Sequence, residues 1–227
     1  MEMSQEIYSK LQKGKGKFLK YLYGEEIKRS WFISYHIADY EDEYISLFMA
    51  SWENAVKFII DSTDPLPASF REILYVEMLK LTIDEPENDY DDLFDDIGEP
   101  YIDSKYQMFV EGINLLEKEK RIIYLLSTFG GVRPKQLGIA LKKSENQMKE
   151  YIAEISSQAQ NTPKIKKING ATAIILSTQF RSIGGSVFES IEVPRDISWN
   201  LDKRLCELVK TKERHFFKKH SKKDMQI

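Results

Sequence analysis

Residues 113–155 read INLLEKEKRIIYLLSTFGGVRPKQLGIALKKSENQMKEYIAEI, and their punctuation predicts three helices in close succession. Ile113, Leu116, Ile122, Ile123, Leu125 and Leu126 recur at helical spacing, and the run stops at Phe129-Gly130-Gly131, where glycine tolerates the positive φ of a helix C-terminus. Pro134 opens the next helix, because a proline at the first helical position gives up an amide that had no partner. That helix is short, ending near Leu141, with Leu137, Ala140 and Leu141 turned inward. After the Lys142-Lys143 turn, Ser144 is placed to cap a second helix by accepting the backbone amide of Gln147. Met148, Tyr151, Ile152 and Ile155 then form one apolar stripe. A short helix, a tight turn and an amphipathic second helix is the geometry that lays the second helix in a DNA major groove. The same stripes also suit a plain helical bundle, since apolar stripes at helical spacing are far more often core than recognition surface.

This segment resembles the promoter-reading C-terminal domain of the sigma-70 family, especially its small extracytoplasmic-function group. The resemblance rests on Arg121, Ile122, Ile123, Leu125, Gln136, Leu137, Leu141, Ser144, Gln147, Met148 and Lys149. It implies that Lys142, Lys143, Ser144, Glu145, Asn146, Gln147 and Lys149 form a DNA-binding edge. Asn146 and Gln147 would meet adenine edges, and the lysines would meet phosphates. Two positions depart from the family pattern. Lys142 stands where the turn has glycine, a place that costs a side-chain-bearing residue backbone energy. Glu150, Tyr151 and Glu154 stand where the family carries arginines, which leaves few phosphate contacts.

The N-terminal part is read as three further helices. Phe18, Leu19, Leu22, Tyr23 and Ile27 predict one helix continuing through Trp31, Phe32 and Tyr35. Ile45, Phe48, Trp52, Val56 and Ile59 form the stripe of a second, with acids in its first turn. Ser69 is placed to cap a third, whose Phe70, Ile73, Leu74 and Met78 face inward. YEDEYISLFMASW (40–52) and FREIL (70–74) are similar to the N-terminal sigma domain. That likeness implies that the second helix binds core RNA polymerase through Glu41, Asp42, Ile45, Phe48 and Trp52. The basic, aromatic promoter-melting segment of the family is missing here, and an acidic stretch stands in its place.

That stretch, DEPENDYDDLFDDIGE (84–99), holds nine acids and no base. It reads as a solvated tether whose composition cannot bury enough apolar surface to fold. A calcium loop is a poor fit, because the alternating ligands and central glycine of an EF-hand are absent. The sigma resemblance implies a third reading, a DNA mimic for the polymerase channel, anchored by Tyr90, Leu93 and Phe94. Beyond the reader, Asn169-Gly170 between apolar runs over 165–177 predicts a hairpin. Asp196 then caps a last helix with Leu201, Leu205 and Leu208 on one face, followed by a basic tail.

Composition bounds the function. The chain has 227 residues, 42% of them hydrophobic, and a net charge of −3. DNA contact must therefore come from a local basic patch or from a partner that holds most of the DNA. Cys206 is the only cysteine, which leaves no internal disulfide and fits a reducing interior. No apolar run reaches membrane-spanning length, so a cytoplasmic protein without membrane insertion is expected. His36, His215 and His220 pair with no nucleophile or carboxylate cluster, and no phosphate-binding glycine loop or zinc spacing occurs. No enzyme, metal or cofactor is therefore expected. The resulting expectation is a mostly α protein: a sigma region 2-like unit (1–83), an acidic linker (84–104), a region 4-like helix-turn-helix (105–160) and a small C-terminal α/β extension (161–227). Its expected partners are core RNA polymerase and promoter DNA, with an anti-sigma protein as a further candidate. The competing class is a helical regulator that docks on polymerase or on another sigma factor without reading DNA.

Overall fold

The computed structural model describes residues 2–24, 26–38, 41–62, 66, 68–84, 107–161, 188 and 191–221. The elements in chain order are α1 (Glu2–Gln12), a 3-10 turn (Gly16–Phe18), α2 (Lys20–Tyr23), α3 (Glu26–Ile37), α4 (Glu41–Asp61) and α5 (Phe70–Asp84). There follow α6 (Gln107–Asn114), α7 (Lys118–Thr128), α8 (Pro134–Ala140), α9 (Glu145–Asn161) and α10 (Arg195–Ser221). No strand occurs among the described residues, so the mostly α class holds. The hairpin expected over 165–177, the acidic stretch after Asp84 and the end of the basic tail lie outside the described residues.

The axis of the fold is α4. Its stripe Ile45, Phe48, Trp52, Val56 and Ile59 is buried, and so are Tyr44, Leu47, Met49, Ala55 and Ile60. A helix apolar on nearly every side has to be covered on nearly every side, and α1, α3, α5 and α10 pack around this one. Trp52 fills the centre of that packing, with Tyr23, Phe48 and Phe70 rings 5.6, 6.4 and 5.0 Å away. Its indole N–H donates to Ser30 Oγ at 2.9 Å, so the one polar atom of the ring is satisfied.

Two predicted helices prove to be divided. The helix expected over 18–35 breaks at Gly24, whose φ of 34° ends α2 before Glu26 starts α3. The first helix of the reader also divides, because Leu116 N–H donates to Ile113 O at 3.0 Å and Glu117 is extended at ψ 148°, separating α6 from α7. In both cases apolar spacing continues across the break, so periodicity alone reads through it. The last helix begins at Arg195, with Asp196 inside its first turn rather than as its cap. Ile197, Leu201, Leu205 and Val209 are its fully buried stripe, and Leu208 is only half-buried.

The α8–α9 part is packed onto the N-terminal helices rather than held apart. Buried residues of both belong to one apolar cluster, in which Phe129 and Phe188 meet Phe32 at 6.4 and 5.5 Å. Two carboxylates also join helices, Glu26 within the N-terminal part and Glu72 between that part and α8. Glu26 accepts from Arg29 Nη1 at 2.6 Å, from Arg71 Nε at 2.6 Å and from the Tyr75 hydroxyl at 3.3 Å. Glu72 accepts from Arg133 Nε at 2.9 Å and from the Gln136 amide, joining α5 to the start of α8. Gly130 lies so close to Tyr75 that an added Cβ would stand 2.9 Å from its ring.

Candidate nucleic-acid interface

The α8–turn–α9 unit is built by local hydrogen bonds. Arg133, extended at ψ 148°, precedes Pro134, and Gln136 Oε1 accepts the Arg133 N–H at 3.0 Å. Leu141 N–H closes on Leu137 O at 2.9 Å, and Lys143 N–H turns back to Gly138 O at 2.8 Å. Between them Lys142 sits at φ 55°, the only positive φ of a non-glycine residue among those described. The left-handed conformation that the missing glycine demands is thus adopted by lysine, at a cost of about 1–2 kcal/mol. Ser144 Oγ accepts the Gln147 N–H at 3.2 Å, and Gln147 Oε1 accepts the Ser144 N–H at 2.9 Å. This reciprocal exchange satisfies two of the amides that a helix start leaves unpaired. Met148 and Ile155 are fully buried on the inner face of α9, which packs on α7 and α8.

Gly138 is what lets the turn close. A Cβ there would lie 2.5 Å from Lys143 O and 3.4 Å from Met148 Cγ. Gly138→Val is therefore expected to destabilise the chain by about 1–3 kcal/mol, because neither a backbone carbonyl nor a buried methionine can yield freely. Hydrogen exchange should report the loss first in α8 and in the first turn of α9. Unchanged protection there would mean that the close approach has no energetic weight.

Lys142, Lys143, Ser144, Glu145, Asn146, Gln147 and Lys149 all reach the surface and share one edge at the start of α9. Their chemistry differs from the expectation in two ways. Lys143 Nζ is bonded to Glu119 at 2.7 Å and stands 4.7 Å from the centre of the Tyr151 ring. That hydrogen bond raises its pKa above the ordinary lysine value. Lys149 pairs with Glu145 at 2.6 Å, which lowers the pKa of the glutamate. Two of the three lysines assigned to phosphate are thus already matched by carboxylates. Gln147 is likewise committed to the cap through its amide oxygen, whereas Asn146 makes no side-chain hydrogen bond to the described residues.

The residues expected to bind polymerase lie elsewhere in the molecule. Ile45, Phe48 and Trp52 are 2%, 0% and 0% exposed, so they hold α4 in the core and present nothing to a partner. Glu41 and Asp42 open α4, and their side chains lie outside the described residues. The surface of α4 is carried instead by Glu43, Lys57, Phe58 and Asp61. Phe58, Ile73, Val76, Ile83, Ile139 and Ala140 line a groove of about 520 Å3 between α4, α5 and α8. Sequence reading missed this groove, because its residues come from three separated helices.

His36 is buried, with Nδ1 3.0 Å from Asn114 Oδ1, so the neutral ring donates to the amide oxygen. Cys206 is half-buried, and burial pushes its thiol pKa up, away from a reactive thiolate. Among the described residues no group of three metal-ligating side chains gathers, and no helix is long and apolar enough to cross a membrane. No family model matches the chain, and no curated protein or solved structure matches it either.

Proposed function

We propose that this protein is a sigma-70-like transcription initiation factor that binds core RNA polymerase and meets promoter DNA through α8 and α9. The observation that supports it is the closed helix-turn-helix: the Ser144–Gln147 exchange, the left-handed Lys142 and the Gly138 approach hold the start of α9 outward as a rigid edge. In this reading residues 1–83 carry polymerase contacts through the outer face of α4, residues 84–104 link, residues 105–160 read DNA, and 161–227 extend the fold. With two lysines of the edge paired, polymerase would have to supply most of the DNA affinity.

A second reading is favoured by the same paired lysines: a regulator that docks on polymerase or another sigma factor and reads no DNA. Affinity capture of core polymerase by the full chain, followed by run-off transcription on a promoter library, separates the two. Specific transcripts support the initiation factor, and capture without promoter-dependent transcripts supports the regulator. Within the first reading Asn146 is the uncommitted base-reading side chain. Asn146→Ala is expected to relax preference at one promoter position by roughly 5- to 150-fold, the equivalent of about 1–3 kcal/mol for a two-pronged amide–adenine contact. Recovery of an unchanged preferred sequence after selection would remove α9 from base reading.

A further inference from the structure

A strongly basic surface lies far from α9 in the sequence, at the turn between α1 and α2. From Ile7 to Gly24 the chain carries Lys10, Lys13, Lys15, Lys17 and Lys20 and no acid. Lys13, Lys15, Lys17 and Lys20 are exposed and make no ion pair with the described residues. The turn is rigidly presented. Gly14 at φ 76° ends α1, Gly14 and Lys15 amides return to Leu11 O and Lys10 O at 2.9 and 3.0 Å, and Leu19 N–H closes on Gly16 O at 2.9 Å.

The last helix backs this turn. Gly16 faces Cys206 and Val209, and the Tyr23 hydroxyl donates to Asp202 Oδ1 at 2.6 Å. Trp199 stands one turn before Asp202 on α10 and is 64% exposed, and Tyr21 on α2 is 59% exposed. Each ring has an ammonium beside it: Lys20 is 5.1 Å from the Tyr21 centroid, and Lys203 is 5.4 Å from that of Trp199. Of the carboxylates on the flanking helices, Asp202 is engaged by Tyr23, and Glu6 faces Lys10 at 4.0 Å.

We propose that Lys13, Lys15, Lys17 and Lys20, with Tyr21 and Trp199, form a binding site for single-stranded nucleic acid. Unpaired lysines neutralise the phosphodiester backbone, and exposed rings stack unpaired bases whatever their identity. A duplex keeps its bases stacked and offers these rings nothing. An anionic membrane would also attract the lysines, but insertion calls for exposed aliphatic side chains, and the leucines of this turn, Leu19 and Leu22, are buried. This site does not rest on the promoter-reading assignment of α9.

The test uses the full chain and a fluorescently labelled oligothymidylate, a duplex of the same length, and phosphatidylserine-containing vesicles. Wild type is expected to bind the single strand with a steep salt dependence. Lys13, Lys15, Lys17 and Lys20 changed together to Gln should flatten the log–log salt slope by roughly 0.7 per lost phosphate contact, about three in all. Tyr21→Ala with Trp199→Ala should weaken single-strand binding roughly fivefold or more, leaving the salt slope and duplex binding unchanged. Trp31 and Trp52 are 0% exposed, so quenching of tryptophan fluorescence by the strand should report Trp199 alone. Asn146→Ala should change none of these. Equal single-strand affinity in wild type and both variants, or vesicle binding without oligonucleotide binding, overturns the proposal.

Discussion

Trp52→Ala is expected to destabilise the whole chain by about 3–5 kcal/mol, the range found when a buried tryptophan is truncated in a packed core. In a protein of this size that is a fall in Tm of roughly 6–20 °C. The ring is fully buried and surrounded by Tyr23, Phe48 and Phe70, and deletion leaves a void that four helices would have to shift to fill. Ser30 Oγ would also lose the indole N–H it accepts at 2.9 Å. Circular dichroism melting measures the effect directly. A variant that melts like wild type but no longer captures polymerase would show instead that Trp52 is a contact residue.

Acid should weaken the fold through His36. Burial lowers its pKa to about 4, Asn114 opposes that by accepting from Nδ1, and the Arg121 charge lowers it further. In the unfolded chain the ring titrates near 6.5, so between these two values the unfolded state binds a proton that the folded state refuses. The stabilising contribution of neutral His36 is therefore complete above pH 6.5 and is lost as pH falls toward 4. Between pH 7 and pH 5 the loss is about 2 kcal/mol, or roughly 4–8 °C in Tm. His36→Gln, which can keep an N–H for Asn114 Oδ1 and cannot titrate, should remove that part of the pH dependence. If the wild type and the variant lose equal Tm between these pH values, the ring is not the group responsible.

The features legible in the sequence were those whose causes lie within a few residues. Ser144 and Gln147 are three apart, the reach of an N-cap, and their exchange forms as read. Lys142 had to turn left-handed because Leu141 closes α8 while Lys143 must return to Gly138 O. Stripes such as Ile45, Phe48 and Trp52 announced one buried face. Periodicity cannot say what covers that face, and the three residues that the sigma likeness assigns to a partner are covered by the protein's own helices. Nor could it show the breaks at Gly24 and Glu117, where the apolar rhythm runs on across a change of axis.

Charge is where the two sources part most clearly. Sequence alone determined how many lysines and glutamates flank α9, because composition and helical spacing are local properties of the chain. Tertiary structure decided which of them are free. Lys143 reaches Glu119, which is 24 positions earlier, and Arg133 reaches Glu72 across 61 positions. Meanwhile the lysines at 13, 15, 17 and 20 meet no carboxylate at all among the described residues. An ion pair depends on separation in space, and the separation of residues so far apart along the chain is settled only when α5, α7, α8 and α10 have packed.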